Sequence, residues 1–378
     1  MFNRHVKFFH YLPFLKRQIN ELYLIHSIEG LVFSLIAVFI PIYLLKLGYT
    51  LSDVLVFYII RYAVVPLFSL IVGHISTRFG IKHTLLMRFP MVLVYLIMLY
   101  SLQNVSIPLI LIAIIDGFQS SLYWIPLHSL FARSTNEERM GSDVSKLYSF
   151  PRLASIAAPF IGGFIITLFG FGILFAISMA LLIGSLLPLF STPEIKPHVN
   201  FKIKEGIGIL KKYRKYFFSI CIYNISSATE YIVWPVFTYF VLASTVSVGI
   251  VGTLLSFGVV LFTLAIGRFS DRFDKNEIIK IGAIFMFLVW WFRAFLVSET
   301  FIYLLTILAG FFSLLVSIPL TAMTYELAKK SNIDEFIVFR EIPVSSGKII
   351  SFITCLILIK YIEYTFLATG LFQLLLVI

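Results

Sequence analysis

Charged residues are scarce in this chain: they make up only 13% of its 378 residues, whereas hydrophobic residues make up 60%. The mean hydropathy is +0.97. A soluble core could not enclose this much apolar surface, so we expect lipid to be the solvent. Cysteine is nearly absent as well. The two cysteines, Cys221 and Cys355, both fall within apolar segments, which excludes a secreted disulfide framework.

Several motifs of enzymes are also missing. No G-x-x-x-x-G-K-[ST] loop occurs, so we do not expect ATP to drive this protein. No metal-binding spacing such as H-E-x-x-H occurs, and the connections between apolar segments are too short for an extramembrane catalytic domain. We therefore predict that the chain is not an enzyme and holds neither a metal nor a cofactor. The net charge of +11 indicates basic loops beside anionic lipid rather than nucleic-acid binding.

What the chain does have is twelve apolar segments, each long enough to cross a membrane as a helix. Roughly 20 helical residues cross the hydrocarbon core, where irregular backbone would leave peptide groups unpaired. We therefore predict an all-α membrane protein. Its spans, numbered 1 to 12, are predicted at 21–45, 52–75, 83–101, 107–131, 148–169, 171–190, 217–241, 247–268, 278–297, 301–326, 339–359 and 361–378.

Basic residues fall on alternate connections between these spans. The connection after span 1 carries only Lys46, and those after spans 3, 5 and 7 carry none. The connections after spans 2, 4, 6, 8 and 10 each carry two or more. Lys and Arg close to span ends stay on the cytoplasmic side of a membrane. We therefore predict a multi-pass protein of the cell membrane with both termini in the cytoplasm.

One connection is much longer than the others, and it is basic and interrupted by Pro193 and Pro197. It divides the chain into a six-helix N-terminal bundle at 1–190, a basic cytoplasmic linker at 191–216 and a six-helix C-terminal bundle at 217–378. Within the linker, Ile203, Ile207 and Leu210 recur at helical spacing beside lysines. This pattern predicts a helix that lies on the cytoplasmic membrane surface.

A short motif follows span 2 and recurs after span 8, six spans later. Its residues are Gly73, Arg78, Gly80 and Lys82 in the first copy and Gly267, Asp271 and Arg272 in the second. Both copies resemble the loop motif G-x-x-x-D-R-x-G-R-[RK] of the major facilitator superfamily. The first copy departs from it with Thr77 at the Asp position, and the second has Asp274 where a Gly often stands.

This resemblance implies two pseudo-symmetric six-helix bundles, related by an axis along the membrane normal, that rock around a central cavity in a secondary transporter. The motif loops would then act as gates. Their glycines would allow close helix approach, while Arg78 and Arg272 would hold carbonyl or carboxylate groups when the inner side is shut. The alternative is that both arginines only anchor the loops at the inner membrane surface.

Span 5 carries a second motif. Ala158, Pro159, Gly162 and Gly163 belong to a stretch that is similar to G-x-x-x-G-P-x-x-G-G, found in the proton-coupled drug exporters of the same superfamily. The resemblance implies export. Ordinary helix packing is the alternative interpretation, because small residues at this spacing let helices approach closely.

Acidic side chains in the middle of spans are costly in lipid and usually face a cavity or a partner. Here they lie on spans 1, 4 and 7, with Glu326 at the end of span 10. In the superfamily these four helices line the cavity. Polar and aromatic residues share the faces of these acids. The candidate substrate or proton cavity comprises Glu29, Asp116, Gln119, Tyr123, Glu230 and Trp234.

Basic side chains within the spans provide a competing interpretation of the same acids. Arg61 on span 2 and Lys348 on span 11 would neutralise some of them as structural ion pairs. Arg293, near the outer end of span 9, is expected to extend its guanidinium to the membrane interface.

Together these features predict secondary active transport of a small molecule by alternating access. Proton-coupled export of an amphiphilic or cationic compound is the first hypothesis, and uptake of a sugar or organic ion by symport is the alternative. A membrane-embedded enzyme and a non-transporting receptor are the remaining classes. We expect a monomer in contact with membrane lipid, with the small-molecule substrate and protons as its partners and no nucleic acid.

Overall fold

The computed structural model describes residues 20, 22–135, 137–184, 194 and 201–377. Within those ranges the chain forms helices and short connections, without a strand. Eight helices are long and apolar enough to cross a membrane. One of them, Met140–Ile183, bends at Gly170, where φ is +81°, and therefore forms two spans. Three further helical segments, spans 7, 11 and 12, complete the twelve spans of the described chain.

The bounds of the spans are as follows. Spans 1 to 4 are Leu22–Lys46, Leu51–Phe79, Ile81–Ser101 and Leu109–Ser134. Spans 5 and 6 are formed by two consecutive helices, Met140–Ser155 and Ala158–Gly184. Span 5 runs from Met140 to the bend at Gly170 in the second helix, and span 6 is the part of that helix after the bend. Span 7 consists of Arg214–Ala228, a π-helical turn at Thr229–Val233, and Trp234–Leu242. Spans 8 to 12 are Thr245–Arg272, Lys275–Phe295, Glu299–Lys329, Ile333–Ile357 and Glu363–Leu374. The predicted all-α membrane architecture is confirmed.

Local side-chain caps fix where several spans begin. Thr50 and Asp53 form a reciprocal capping box at the start of span 2. The Asp53 backbone N–H donates to Thr50 Oγ1 at 3.2 Å, and the Thr50 N–H donates to the Asp53 carboxylate at 2.8 Å. Asp274 caps span 9 by accepting the N–H of Asn276 at 2.8 Å. Because the first N–H groups of a helix have no partner within it, such caps set the helix start.

The hydrophobic core lies in two clusters, and each draws residues from both halves of the chain. One cluster includes Phe131 and Met140 from the first half and Tyr325 and Phe336 from the second. The other includes Phe39 and Phe175 together with Trp234 and Trp290 at the opposite end of the spans. The two halves therefore pack against each other over most of the length of the spans.

The connection between the halves contains the predicted amphipathic helix, which spans Ile203–Lys212. Gly206 and Ile209 are buried against span 11, where a Cβ on Gly206 would meet the Phe339 ring at 2.1 Å. Ile203 and Ile207 remain 53% and 45% exposed. The position of this helix on a membrane surface stays a prediction, as do the three region boundaries, because 1–19, 185–193 and 195–200 lie outside the described residues.

Candidate functional site

The acidic side chains predicted to line a cavity are all paired with basic side chains. Glu29, Asp116 and Glu230 are 3%, 4% and 5% exposed, so none of them faces lipid. Each basic partner lies on another span of the same half. Glu326 at the end of span 10 is paired in the same way, so there are four such ion pairs among the described residues. The pairs are Glu29–Arg88 at 2.6 Å, Asp116–Arg61 at 2.6 Å, Glu230–Arg293 at 2.5 Å and Glu326–Lys275 at 3.1 Å.

In the first half, two of these pairs join into one hydrogen-bonded network. The Nε2 amide of Gln119 donates to Asp116 at 2.7 Å, and its Oε1 accepts from Arg88 Nε at 3.0 Å. Gln119 thereby links the Arg61–Asp116 pair to the Arg88–Glu29 pair. The network connects spans 2, 4, 3 and 1. A change of charge at Asp116 therefore affects the Arg88–Glu29 pair through a continuous set of contacts.

Aromatic side chains extend the network on both sides. The Arg88 guanidinium lies 4.2 Å from the centre of the Tyr123 ring, and the Tyr123 hydroxyl is 2.5 Å from His26 Nδ1. At the other end, Arg61 donates to the Tyr62 hydroxyl, and Lys348 of span 11 lies 4.5 Å above the Tyr62 ring. The network therefore reaches from the interior of the first half to the contact between spans 2 and 11.

The second half contains a more deeply buried pair. Both carboxylate oxygens of Glu230 accept hydrogen bonds from Arg293, at 2.5 and 3.0 Å, and the Arg293 side chain is 0% exposed. The guanidinium lies 4.0 Å from the Trp234 ring and 4.7 Å from the Trp290 ring, and Trp234 Nε1 donates to Thr306. The expectation that Arg293 extends to the membrane interface is wrong, because its charge is compensated inside the bundle.

The connections that carry basic residues meet at one face of the bundle, which we call the basic face: the connections between spans 2 and 3, 4 and 5, 8 and 9, and 10 and 11. There Asp271 of the second motif copy accepts from the backbone N–H groups of Gly141 and Ser142, at 2.7 and 3.0 Å, and from the Ser142 hydroxyl at 2.6 Å. One carboxylate of the second half thus caps the first turn of span 5 in the first half.

The arginines of the two motif copies are placed differently from Asp271. Arg78 and Arg272 are both exposed, and the described part of the chain brings no hydrogen-bond acceptor to either guanidinium. Arg78 lies 5.4 Å from the ring of Phe79, its neighbour in sequence. This placement matches the interpretation that the two arginines anchor the loops at the membrane surface more closely than the interpretation that they hold carbonyl or carboxylate groups of a closed gate.

The first motif copy obtains a carboxylate from elsewhere. Thr77 donates to the carbonyl of His74, within its own helix, at 2.9 Å. Gly80 caps span 3 with a φ of +105°, a conformation that favours glycine. The Glu194 side chain fills the space beside it, accepting from the backbone N–H groups of Lys82 and His83 at 2.9 Å each. A linker carboxylate therefore caps span 3, and sequence reasoning missed it.

The first glycine of each copy allows the halves to pack closely. A Cβ on Gly73 would meet Val338 of span 11 at 2.8 Å, and a Cβ on Gly267 would meet Ser145 of span 5 at 2.5 Å. Both contacts join one half to the other. The two copies thus occupy corresponding positions between the halves, at the contact of spans 2 and 11 and at that of spans 8 and 5.

The span 5 motif also lies at a contact between helices. A Cβ on Gly162 would meet the Leu35 carbonyl of span 1 at 2.4 Å, and a Cβ on Gly163 would meet the Thr245 carbonyl of span 8 at 2.5 Å. Pro159 packs against glycines of span 8, and Ala158 is buried. The motif therefore packs span 5 both within its half and against the other half, as small residues between membrane helices do.

Three further contacts close the basic face between the halves. Arg133 at the end of span 4 pairs with Asp334 of span 11 at 2.6 Å. Lys329 of span 10 donates to the Thr135 carbonyl. One to two turns deeper, His128 Nδ1 and the Tyr325 hydroxyl are 2.6 Å apart, and the Phe131 ring packs on that of Tyr325. The ends of spans 4 and 10 are thus held together at this face.

Exchange of Asp271 for Ala is expected to open the basic face. It removes three hydrogen bonds that join the halves, so a cysteine probe at Ser145 should react faster with a hydrophilic maleimide. The control is Arg272→Ala, at the neighbouring exposed position, which should leave the reaction rate within about twofold. Equal rates in the two variants would show that Asp271 does not hold this face shut.

Comparison with known proteins gives one family. The model of the Major Facilitator Superfamily matches residues 22–228 and again 219–378. A protein of Lactococcus lactis subsp. lactis (strain IL1403), a multi-drug resistance efflux pump PmrA homolog, is 21% identical over 353 residues. The alignment covers 89% of this chain and 86% of that protein.

Solved structures share the fold at low identity. The human organic anion transporter MFSD10 (TETRAN) superimposes with a TM-score of 0.69 at 12% identity, covering 96% of this chain and 99% of that one. A bacterial homologue of the iron transporter ferroportin, in an outward-facing state, gives a TM-score of 0.70 at 14% identity, covering 96% and 98%. At these identities the likeness establishes the architecture and not the cargo.

Proposed function

We propose that this chain, which belongs to the major facilitator superfamily, exports an amphiphilic small molecule in exchange for protons. It is a membrane transporter rather than an enzyme. In this proposal the protein acts as a monomer in the cell membrane. The basic face and both termini are cytoplasmic, in keeping with the distribution of Lys and Arg.

The observation that carries the alternating-access mechanism is the set of contacts between the halves at the basic face. Asp271, Asp334 and Lys329 each bond to a group of the opposite half. These contacts cannot persist if the halves rock apart at that face. They therefore stabilise one state of a two-state cycle, in which the path to the basic face is closed.

Export of an amphiphilic compound is supported by two features. The relative from Lactococcus is described as a multi-drug efflux pump, although its identity to this chain is low. In addition, Trp124 of span 4 and Tyr231 of span 7 are 38% and 41% exposed on spans whose other central residues are mostly buried. Trp124 stacks on His128 of its own span and lies edge-on to His26, so it faces span 1 of the bundle. Aromatic surfaces of this kind suit apolar ring systems.

For the coupling ion, Asp116 is the carboxylate that we propose to exchange a proton. Its partner Arg61 is 17% exposed and reaches the contact between spans 2 and 11, whereas Arg293, the partner of Glu230, is 0% exposed. A proton needs a path to water, so we assign the exchange to the pair whose basic partner is partly exposed. Glu230 and Arg293 then form a structural pair, and each of the acids at mid-span in the described spans 1, 4 and 7 already faces an arginine.

Transport in proteoliposomes tests this proposal. With a pH gradient imposed, a permanently charged amphiphilic dye should accumulate in the acidic compartment, because protons leave that compartment down their gradient as the dye enters. A dye without a group that titrates near neutral pH is needed, since the gradient then cannot trap it passively. Accumulation should vanish with a protonophore and in protein-free liposomes. Uptake that is unaffected by the gradient would rule out proton exchange.

A further inference from the structure

Arg152 of span 5 is a partly buried cation whose described contacts include no carboxylate. Its Nη1 donates to the Ser256 hydroxyl of span 8 at 3.1 Å, and its Nη2 donates to the Tyr231 hydroxyl of span 7 at 2.7 Å. The guanidinium lies 5.5 Å from the centre of the Tyr231 ring. Both hydroxyls belong to the second half, so Arg152 bridges the halves far from the basic face.

The other basic side chains in the interior of the described spans differ from Arg152 in charge balance. Four of them face a carboxylate within 4 Å; they are Arg61, Arg88, Arg293 and Arg340. Lys348 lacks such a partner among the described residues and instead lies over the Tyr62 ring. Among these described side chains the cations outnumber the carboxylates, and hydroxyl groups orient Arg152 without neutralising it.

The surroundings of Arg152 are aromatic and shared by several spans. Arg152 and Arg88 are both close enough to the imidazole of His26 on span 1 to interact with it electrostatically. His26 in turn lies against Tyr123 and Trp124 of span 4. Arg152 thus contacts spans 7 and 8 of the second half and lies on the side of span 5 that is near span 1.

We propose that Arg152 binds the anionic group of the transported molecule, so that the substrate is an amphiphilic organic anion. This inference rests on the proposed transport function and narrows its substrate class. A guanidinium presents paired N–H donors that match a carboxylate, sulfonate or phosphate, and in a low-dielectric interior it gains strongly from such a counter-ion. The rings of Tyr231 and Trp124 accommodate the apolar body of the same molecule.

Equilibrium binding to the purified full chain in detergent tests the site without any gradient. The probes are two dyes of similar size, fully ionised carboxyfluorescein and a rhodamine cation, followed by fluorescence anisotropy. We expect the wild-type protein to bind the anionic dye and Arg152→Gln to weaken that binding about tenfold or more. Arg152→Lys should lie between them, because it keeps the charge and loses the paired donors.

Lys348→Gln is the matched control, because it removes an interior cation at the contact of spans 2 and 11. It should change binding of the anionic dye by less than about threefold. Unchanged affinity in Arg152→Gln, or an equal loss in Lys348→Gln, would overturn the assignment. So would displacement of the dye by an anionic phospholipid in an Arg152-dependent manner, because the site would then belong to a lipid headgroup.

Two measurements separate this site from folding and from the transport function. Each variant is unfolded thermally in detergent, and binding is compared only between variants that melt like the wild type. If Arg152→Gln itself melts early, Arg152→Lys decides: binding as tight as the wild type would count against paired recognition of the anion. Gradient-driven flux with no Arg152-dependent binding would refute the anion site while leaving proton-coupled transport standing.

Discussion

Exchange of Arg293 for Met is expected to destabilise the protein by about 3–5 kcal/mol, the cost of leaving a buried charge without its partner. Glu230 would keep its position in a site where both pair members are almost fully enclosed. Water cannot replace the two hydrogen bonds that Arg293 donates, because Trp234 and Trp290 flank the guanidinium. Thermal unfolding in detergent, followed by tryptophan fluorescence, measures the loss.

Two comparisons make this prediction specific. Arg268→Met introduces the same chemical change at an exposed position of span 8 and should alter stability by less than about 0.5 kcal/mol. The double variant Glu230→Gln with Arg293→Met removes both charges and should recover much of the loss, since an apolar replacement of a buried pair is often tolerated. If Arg293→Met and Arg268→Met unfold at the same temperature, the Glu230–Arg293 pair contributes little to stability.

The span pattern could be predicted because hydropathy and length are local properties of the sequence. Span 2 was expected at 52–75 and is found at Leu51–Phe79, and the bend between spans 5 and 6 falls at Gly170, as the predicted boundary indicates. The helices extend further at the basic face than predicted. Span 5 begins at Met140, where Asp271 of the other half caps its first turn, and no local pattern encodes that contact.

The charges of the candidate site were predicted only in part. The acids stand out by their unusual position in the spans, but no sequence pattern pairs them with Arg88 and Arg293, which lie on spans 3 and 9. Arg293 is two residues from the end of its helix and therefore looks like an interface anchor. Helical side chains point back toward the helix N-terminus, which carries its guanidinium into the bundle.

The motif copies show a similar division between local and distant information. The glycines could be identified from sequence because the repeat places them, and both lie where the halves meet. The missing carboxylate at Thr77 could be noted, but its counterpart Glu194 comes from the linker, and its return to span 3 depends on tertiary structure. The contacts of Arg152 with the second half could not be predicted, because a single Arg near Pro151 resembles an ordinary break in an apolar segment.

Exchange of Asp116 for Asn is expected to abolish proton-driven accumulation while leaving exchange of substrate across the membrane intact. Asn has the same shape and still accepts from Gln119, which donates to Asp116 at 2.7 Å, but it cannot take up and release a proton. In the wild type, a proton on Asp116 neutralises the carboxylate that pairs with Arg61, and its release restores the 2.6 Å ion pair. Coupling then comes from the different stability of the pair in the two states of the cycle.

The measurement compares two fluxes in the same proteoliposomes. Gradient-driven dye accumulation should fall to the level of protein-free liposomes, while counterflow between equal pH values should continue, because it needs alternating access and no net proton movement. Asp53→Asn is the control, since Asp53 is an exposed cap on span 2 and removing its charge should spare both fluxes. If Asp116→Asn still concentrates the dye as well as the wild type does, a group other than Asp116 carries the proton. Loss of counterflow as well would mean that Asp116 is needed for rocking of the halves, because Arg61 would then be a buried cation without an anion.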